Sequence, residues 1–213
     1  GGGQPTSGAR TGERGRTAAN LRRLVRDMQK TFDCLDEARM PVIAAIHGGC
    51  IGGAVDMTSA CDIRYASADA FFVIQEINIG MTADVGTFPR LCHLIPQGWV
   101  REMAYTGRRL DARTALRIGL VNEVLESHDQ VVAHALQTAR EIASKTPLAV
   151  HGSKEMINYA RDHSIADGLD YIAVWQAGMY NPESDMKEAL TARIEKREPR
   201  FEDLAPVRKP LGG

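Results

Sequence analysis

The sequence predicts an α/β fold that ends in a helical region. Short apolar runs alternate with helical patterns as far as residue 125, and glycine pairs mark the turn after the first of these runs. From residue 128 to 196 apolar residues recur at helical spacing, interrupted at Pro147 and Pro182. We expect three parts: a flexible loop rich in Gly, Ser and Thr at 1–16, an α/β core at 17–145 and a helical region at 146–213.

The elements follow in order from local patterns. A first helix is predicted from Thr17 by apolar side chains at helical spacing, which are Leu21, Leu24, Val25, Met28, Phe32 and Leu35. An apolar run at 42–47, with Pro before it and Gly after it, predicts a short buried strand. Further strands are predicted at 62–66, 71–74 and 121–125, and further helices at 53–61, 86–95, 97–106 and 111–118.

The composition of the 213 residues is that of an ordinary globular protein, with 44% hydrophobic and 25% charged residues. The formal net charge of −1 gives no general attraction to nucleic acid or membrane surfaces. No apolar run approaches the roughly 18 residues of a membrane span, and the polar start does not look like a signal peptide. The four cysteines form no CxxC pair, so we expect buried free thiols at Cys50 and Cys61 and no metal site.

Three carboxylates, Asp56, Glu76 and Asp84, stand in otherwise apolar sequence around a glycine-rich turn. Burying a carboxylate is costly unless it is paired, and burial raises a carboxyl pKa toward the range that suits proton transfer near neutral pH. Taken alone, two of them also have a structural explanation. An acid in the first turn of a helix is common, as at Asp56, and Asp84 is placed to cap the next helix. Together the three predict a general acid–base site.

The glycines at 52 and 53 lead from a strand into a helix. Such a turn directs backbone N–H groups and the positive end of the helix dipole outward, where they can hold a developing oxyanion. A tight turn that needs positive φ is the equal alternative. The G-x-G-x-x-G, P-loop, G-x-S-x-G and HExxH patterns are all absent. His47 ends a strand beside glycines, where a structural role is more common than a catalytic one.

At these residues the chain resembles the crotonase superfamily of enoyl-CoA hydratases and isomerases. The likeness runs through 41–65, continues at Phe72, Glu76, Gly80 and Gly86-Thr87, and returns at 111–121. It implies a crotonase-like spiral of β-β-α units with a C-terminal helical trimerisation region. The strands that open that fold have no counterpart ahead of residue 17, so we expect the N-terminal part to be missing from this chain.

Within the superfamily, the set Asp56, Glu76 and Asp84 is similar to that of the dienoyl-CoA isomerases, whereas hydratases carry Gly at the position of Asp84. The resemblance implies that a 3,5-dienoyl-CoA is converted to a 2,4-dienoyl-CoA by proton transfer. It assigns removal of the C2 proton to Glu76 and protonation of C6 to Asp84, with the reverse assignment as the alternative. Asp56 is implied to orient the pair.

The resemblance also implies binding residues, partners and a location. Gly53 is implied to supply one oxyanion-hole N–H group, and His47, Gly48 and Gly52 to line the substrate. The substrate is an acyl-CoA thioester, no cofactor is needed, and the chain forms a homotrimer or hexamer without nucleic acid or membrane partners. We expect the cytoplasm in bacteria, or the mitochondrial or peroxisomal matrix in eukaryotes, although the final residues do not form the S-K-L signal.

Two other functions stay open. A 2-enoyl-CoA hydratase needs two carboxylates that hold one water molecule; Asp56 and Glu76 fit this role, and Asp84 argues against it. A non-catalytic binding protein of the same fold is supported only by residues 1–30, where seven Arg or Lys oppose two acids. A solvated helix face explains the same charge, with a patch beside a phosphate-bearing ligand as the alternative.

Overall fold

The computed structural model describes residues 11–207 and begins with a long helix, α1 (Thr11–Asp36). The prediction of a loop as far as residue 16 is therefore wrong for 11–16, and residues 1–10 of that loop lie outside the described residues. Glu13 in the first turn complements the positive end of the helix. Arginine is a good helix former, but Gly12 and Gly15 each cost about 1 kcal/mol relative to alanine, so helix propensity alone does not account for this first stretch.

Short strands and helices fill the rest of the described chain. The helices are α2 (Gly53–Ser59), α3 (Thr87–Leu94), α4 (Gln97–Thr106), α5 (Ala112–Ile118), α6 (His128–Ala143), α7 (Pro147–Asp162), α8 (Ile165–Met179) and α9 (Asp185–Glu195), with a 3-10 helix at Gln75–Ile79. The strands are β1 (Ile43–Ile46), β2 (Gly49–Ile51), β3 (Ile63–Ser67), β4 (Phe71–Val73), β5 (Leu110–Asp111) and β6 (Glu123–Leu125).

Within the described residues the strands form two three-stranded sheets, ordered β1-β3-β6 and β2-β4-β5. The chain alternates between them. β1 and β3 pair in parallel with Ile43 opposite Ile63, and β2 and β4 pair in parallel with Gly49 opposite Phe71. Each β-β-α unit thus adds one strand to each sheet, and successive units stack as turns of a spiral. This confirms the predicted α/β fold of repeated β-β-α units.

The two strands that the sequence did not predict, β2 and β5, are short. β2 has three residues and lies inside the glycine-rich stretch that was expected to be only a turn. β5 has two residues and pairs antiparallel with β4. The strand predicted at 121–125 is shorter, because Leu120 and Val121 still donate to the carbonyl of Ala115 in the turn that ends α5.

The hydrophobic core lies where the sheets meet α2, α3 and α4. Its largest fully buried apolar side chains are Phe72, Ile74, Leu91, Met103 and Val55. Cys50 and Cys61 are buried free thiols, as predicted. Burial raises the pKa of Cys50 to about 11, so its thiol stays protonated at neutral pH and belongs to the core.

The C-terminal helices differ in what they contact. α6 covers β1 and β3, and α7 pairs with α8. The buried Lys154 of α7 reaches the carbonyls of Leu35 and Met40 and the carboxylate of Asp62. The predicted breaks near Pro147 and Pro182 are present, but one at Ser164 was missed. There Ser164 and Asp167 form a capping box that starts α8.

No helix within residues 11–207 is both long enough and apolar enough to cross a membrane.

Candidate active site

The turn between β2 and α2 is the frame of the site. Gly52 has φ 56° and ψ −122°, a conformation that favours glycine. Its N–H donates to the carbonyl of Val73 at 2.9 Å, which joins the turn to the end of β4. Gly53 is the first residue of α2, so its N–H has no acceptor in a preceding helical turn. The turn therefore needs glycine for its shape and presents a backbone N–H group as well.

Asp56 lies on the first turn of α2 and is completely buried. Its Oδ1 accepts two hydrogen bonds from Thr87, one from the backbone N–H at 2.6 Å and one from Oγ1 at 2.8 Å. Its Oδ2 is buried and has no hydrogen-bond partner among residues 11–207. A buried carboxylate oxygen without a donor is unfavourable unless a ligand or water uses it. Thr87 thus fixes one carboxylate oxygen of Asp56, and the other oxygen remains available to a ligand or a water molecule.

Glu76 lies in the 3-10 helix that follows β4 and approaches the glycine turn. A Cβ built on Gly52 would lie 3.2 Å from Oε1 of Glu76. Its Oε2 is buried and, like Oδ2 of Asp56, finds no hydrogen-bond partner in the described part of the chain. Burial raises the pKa of Glu76, and the charges of Asp56 and Asp84 raise it further. The structure therefore places a carboxyl group suited to proton transfer beside the turn.

Asp84 lies in the loop between the 3-10 helix and α3 and is half-buried. Its backbone carbonyl accepts from Nε2 of Gln29 on α1 at 2.6 Å, which fixes the loop to the first helix. The N-cap of α3 is Gly86, and the side chain that accepts from the first N–H group of this helix is that of Asp56 and not that of Asp84. The explanation of Asp84 as a helix cap is therefore wrong. Its charge acts on Glu76, so the structure brings all three predicted carboxylates to one place.

The residues that hold this group were not predicted as part of the site. Thr87 is buried at the start of α3. One turn later, Arg90 forms ion pairs with two carboxylates of α1, at 2.7 Å with Asp33 and at 2.8 Å with Asp36. Thr87 lies 31 residues from its partner Asp56, and Gln29 lies 55 residues from Asp84. No local pattern signals such distant contacts. Only the likeness at Gly86-Thr87 pointed to this segment.

His47 and Gly48 lie at the opposite end of β2 from Gly52. The exposed ring of His47 packs against His128, with 4.2 Å between the ring centroids. Gly48 has φ 58°, and its carbonyl accepts from the N–H of Phe71 at 2.9 Å. The structure thus gathers Gly52 and Gly53 with the carboxylates and leaves His47 and Gly48 in the turn that connects β1 to β2.

Two cavities differ in their relation to the carboxylates. One of about 680 Å³ is lined by Asp84, Val85 and Gly86 together with polar side chains of α1 and α7. A larger, apolar one of about 1130 Å³ lies between β1, α6 and residues 203–207 and includes none of the three carboxylates. Of these two cavities, only the smaller one is lined by one of the three carboxylates, Asp84. Among residues 11–207, no group of three or more His, Cys, Asp or Glu side chains is arranged to hold a metal ion.

The β-β-α spiral, with carboxylates around a glycine turn that leads from a strand into a helix, is the architecture implied by the resemblance to the crotonase superfamily. Sequence comparison identifies the same superfamily. The chain belongs to the enoyl-CoA hydratase/isomerase family, whose sequence profile matches residues 6–204.

Relatives within this family are similar over most of the chain. The mitochondrial Delta(3,5)-Delta(2,4)-dienoyl-CoA isomerase of Mus musculus is 46% identical over 184 residues, which are 86% of this chain and 56% of the mouse protein. The peroxisomal isomerase of the same name from Arabidopsis thaliana is 42% identical, over 90% of this chain and 69% of the relative. The chain thus spans between about half and two thirds of the length of these relatives.

A solved structure shows the same fold. The crystal structure of a probable enoyl-CoA hydratase/isomerase from Mycobacterium abscessus superposes with a TM-score of 0.79 at 30% identity. The superposition covers 86% of this chain and 71% of that one.

Proposed function

We propose that the protein isomerises 3,5-dienoyl-CoA to 2,4-dienoyl-CoA. The observation that carries this proposal is the grouping of Asp56, Glu76 and Asp84 around the turn at Gly52 and Gly53. A shift of two conjugated double bonds needs one group that removes a proton and another that delivers one, and a third carboxylate has no place in a simpler addition of water. The names of the similar mouse and Arabidopsis proteins support the same reaction.

The reaction begins at the thioester carbonyl. The N–H of Gly53 donates to the carbonyl oxygen and stabilises negative charge there, which makes the C2 proton more acidic. Glu76 removes that proton and a conjugated dienolate forms. Asp84, as a carboxylic acid, protonates C6, and the double bonds move to C2–C3 and C4–C5. No electrons leave the substrate, so the chemistry calls for proton transfer alone and for no redox cofactor.

The environment of Glu76 suits the role of the base. Burial and two neighbouring carboxylates raise its pKa, and a base is more effective when its pKa lies closer to the working pH. The same mutual repulsion disfavours the state in which all three groups are ionised. One of the acids can therefore carry the proton that C6 needs while Glu76 is free to accept one.

A hydratase acting on 2-enoyl-CoA is the second candidate. Oδ2 of Asp56 and Oε2 of Glu76 are both buried and unpartnered, and a water molecule between them would satisfy both. Incubating the full chain with a 3,5-dienoyl-CoA and, separately, with a 2-enoyl-CoA separates the two functions. Conjugated 2,4-dienoyl product from the first substrate supports the isomerase. Rapid hydration of the second substrate without isomerisation of the first would establish the hydratase.

Assembly and location complete the proposal. α8 and α9 expose a series of large apolar side chains, which are Ile165, Leu169, Ile172, Val174, Met179, Met186, Leu190 and Ile194. Exposed apolar faces of this extent are typical of contacts between subunits, and we propose a homotrimer or a hexamer made from two trimers. If the source is a eukaryote, we propose the mitochondrial or peroxisomal matrix, because the similar proteins carry these compartments in their names.

A further inference from the structure

The loop that carries Asp84 is not held by its own backbone. Residues 82–85, between the 3-10 helix and α3, form no backbone–backbone hydrogen bond within the described chain. The carbonyl of Asp84 accepts from Nε2 of Gln29 at 2.6 Å, and the loop ends at Gly86, whose φ of 137° favours glycine. The position of the Asp84 carboxyl group therefore depends on side chains of other elements.

The buried side chain of Arg90 fills the space beside Gly86. A Cβ built on Gly86 would overlap Nη1 of Arg90, so the guanidinium occupies the place that a side chain would take. Its other two nitrogen atoms face α1, where Nε donates to Asp36 at 2.8 Å and Nη2 donates to Asp33 at 2.7 Å. Two carboxylate partners fix the orientation of the planar guanidinium. Arg90 thus connects the end of the loop to α1.

One face of α1 supplies the partners of both contacts. Gln29, Asp33 and Asp36 are spaced by four and three residues, which places them side by side on a helix. Asp36 is held in turn by α7, where Arg161 pairs with its carboxylate at 3.3 Å and Asn158 donates to its backbone carbonyl at 3.0 Å. The loop is therefore attached to a helix that is itself fixed by α7.

We propose that Arg90 is a positioning residue that fixes Asp84 for delivery of a proton to C6. This inference rests on the proposed isomerisation and deepens it, because it names the side chain that sets the place of the C6 acid. Glu76 lies beside Gly52 instead, in the 3-10 helix that precedes the loop. Loss of the guanidinium should therefore impair proton delivery at C6 more than proton removal at C2.

The first test compares Arg90→Ala with Arg64→Ala in the full chain. Arg64 of β3 is also buried, and its guanidinium donates to the carbonyls of Leu120 and Cys61, so its loss controls for the removal of a buried arginine. In Arg90→Ala we expect product formation to fall about 100-fold, the cost of a misplacement of about 1 Å. Exchange of the C2 proton with deuterated water should fall much less, and KM should change little. Arg64→Ala should keep the wild-type ratio of the two rates.

The second test is chemical rescue of Arg90→Ala. Arg90 and Asp84 both line the cavity of about 680 Å³, so a small cation can reach the vacated place. Methylguanidinium should restore most of the lost product formation and leave C2 exchange nearly unchanged. Ethylammonium carries the same charge without the planar fork and should restore much less. A merely structural role predicts instead that both activities recover together.

The third measurement needs no substrate. Val85 follows Asp84 directly, and NMR relaxation of its labelled methyl groups reports the mobility of the loop. We expect the methyl order parameters of Val85 to be lower in Arg90→Ala than in the wild type. Those of Ile77, in the 3-10 helix, should stay as they are in the wild type.

The two proposals fail in different ways. If the wild type does not isomerise the dienoyl-CoA, the proposed function is wrong, while the NMR result still decides whether Arg90 fixes the loop. If the wild type does isomerise it, and Arg90→Ala loses C2 exchange and product formation by the same factor, Arg90 serves the structure alone and the inference is wrong. Unchanged order parameters at Val85 would overturn it as well.

A milder variant keeps the inference testable if Arg90→Ala fails to fold. Asp33→Asn leaves Arg90 with Asp36 as its only ionised partner on α1 among the described residues. It should lower the order parameters of Val85 and the ratio of product formation to C2 exchange, each by less than the alanine variant would. An Asp33→Asn protein that matches the wild type in both measurements would overturn the inference.

Discussion

Gly52 and Glu76 lie so close together that a side chain on Gly52 would crowd the Glu76 carboxyl group. A Cβ on Gly52 would lie 3.2 Å from Oε1 of Glu76, and the φ of 56° at Gly52 is itself unfavourable for other residues. Gly52 is also the N-cap of α2, and its N–H donates to the carbonyl of Val73 at the end of β4. The turn and the proposed base therefore form one structural unit, and a substitution in either should displace the other.

Gly52→Ala should lower the free energy of unfolding by about 1–3 kcal/mol, the cost of holding a residue with a side chain in such a backbone conformation. It should also displace the Glu76 carboxyl and reduce isomerisation. The matched control for stability is Gly53→Ala, because a Cβ there meets no atom within 4 Å and Gly53 begins a helix. Urea denaturation should show Gly53→Ala as stable as the wild type or more so. Equal losses in the two variants would contradict the role assigned to Gly52.

Glu76→Gln should reduce isomerisation by about 10²–10⁴-fold, the usual contribution of a general base, with little change in affinity for the acyl-CoA. The amide keeps the shape of the side chain and cannot take a proton. Asp56→Asn is the comparison and should cost less, because its proposed role is electrostatic. Steady-state kinetics and binding of a non-reactive acyl-CoA measure both effects. A loss below about tenfold for Glu76→Gln would point to a different base.

The same variant should change how stability depends on pH. Folding raises the pKa of Glu76, so at pH values above the raised pKa the ionised carboxylate lowers the free energy of unfolding. Below the ordinary pKa of a glutamate, the group is protonated in both the folded and the unfolded state, and this loss disappears. Glu76→Gln should therefore have a higher Tm than the wild type at neutral pH. The difference should shrink as the pH falls through the raised pKa toward the unfolded value. A Tm difference that is constant from neutral to acidic pH would show that the charge of Glu76 is not the cause.

The fold could be predicted in large part because its helices carry clear apolar periodicity and β1, β3 and β4 are apolar runs between turn residues. The site could be predicted from the sequence only in part. Asp56, Glu76 and Asp84 were identified by their apolar surroundings and by family likeness, and neither source gives the contact between Thr87 and Asp56, which joins residues 31 positions apart. Long-range contacts of this kind depend on how the spiral stacks, and a local pattern does not record that.

Short elements and helix ends escaped prediction for a different physical reason. β2 and β5 are held by pairing with β4 and not by their own composition. The first turns of α1 carry no apolar face, so periodicity could not detect that this helix starts at Thr11. The missed break at Ser164 was visible in the S-x-x-D capping signal, which apolar spacing alone passes over.

The proposed assembly predicts that a charge on α8 separates the subunits. Leu169 is 63% exposed, and Leu169→Asp should convert a trimer-based oligomer into smaller species in sedimentation velocity, because a buried unpaired charge is costly at an interface. Tyr105→Asp is the matched control, since Tyr105 is 70% exposed on α4, outside the C-terminal helices. A full chain that sediments as a stable monomer before any substitution would remove the proposal.

Asp84→Asn should separate the two halves of the proposed reaction. Asp84 lies eight residues after Glu76, in a loop that Gln29 fixes to α1, and its side chain is proposed to protonate C6. Without that acid the dienolate can still form and return to the starting compound. We therefore expect isomerisation to stop while exchange of the C2 proton with solvent continues in part.

Deuterium uptake at C2, followed beside product formation in deuterated water, measures both steps in one sample. Gln29→Leu is a useful companion, because it releases the Asp84 backbone and keeps the carboxyl group, so it should slow product formation and leave exchange at C2 closer to the wild type. If Asp84→Asn retains both activities, Asp84 takes no part in the chemistry and the hydratase becomes the better description. If both activities disappear together, Asp84 and not Glu76 removes the C2 proton, and the assignment of the two acids is reversed.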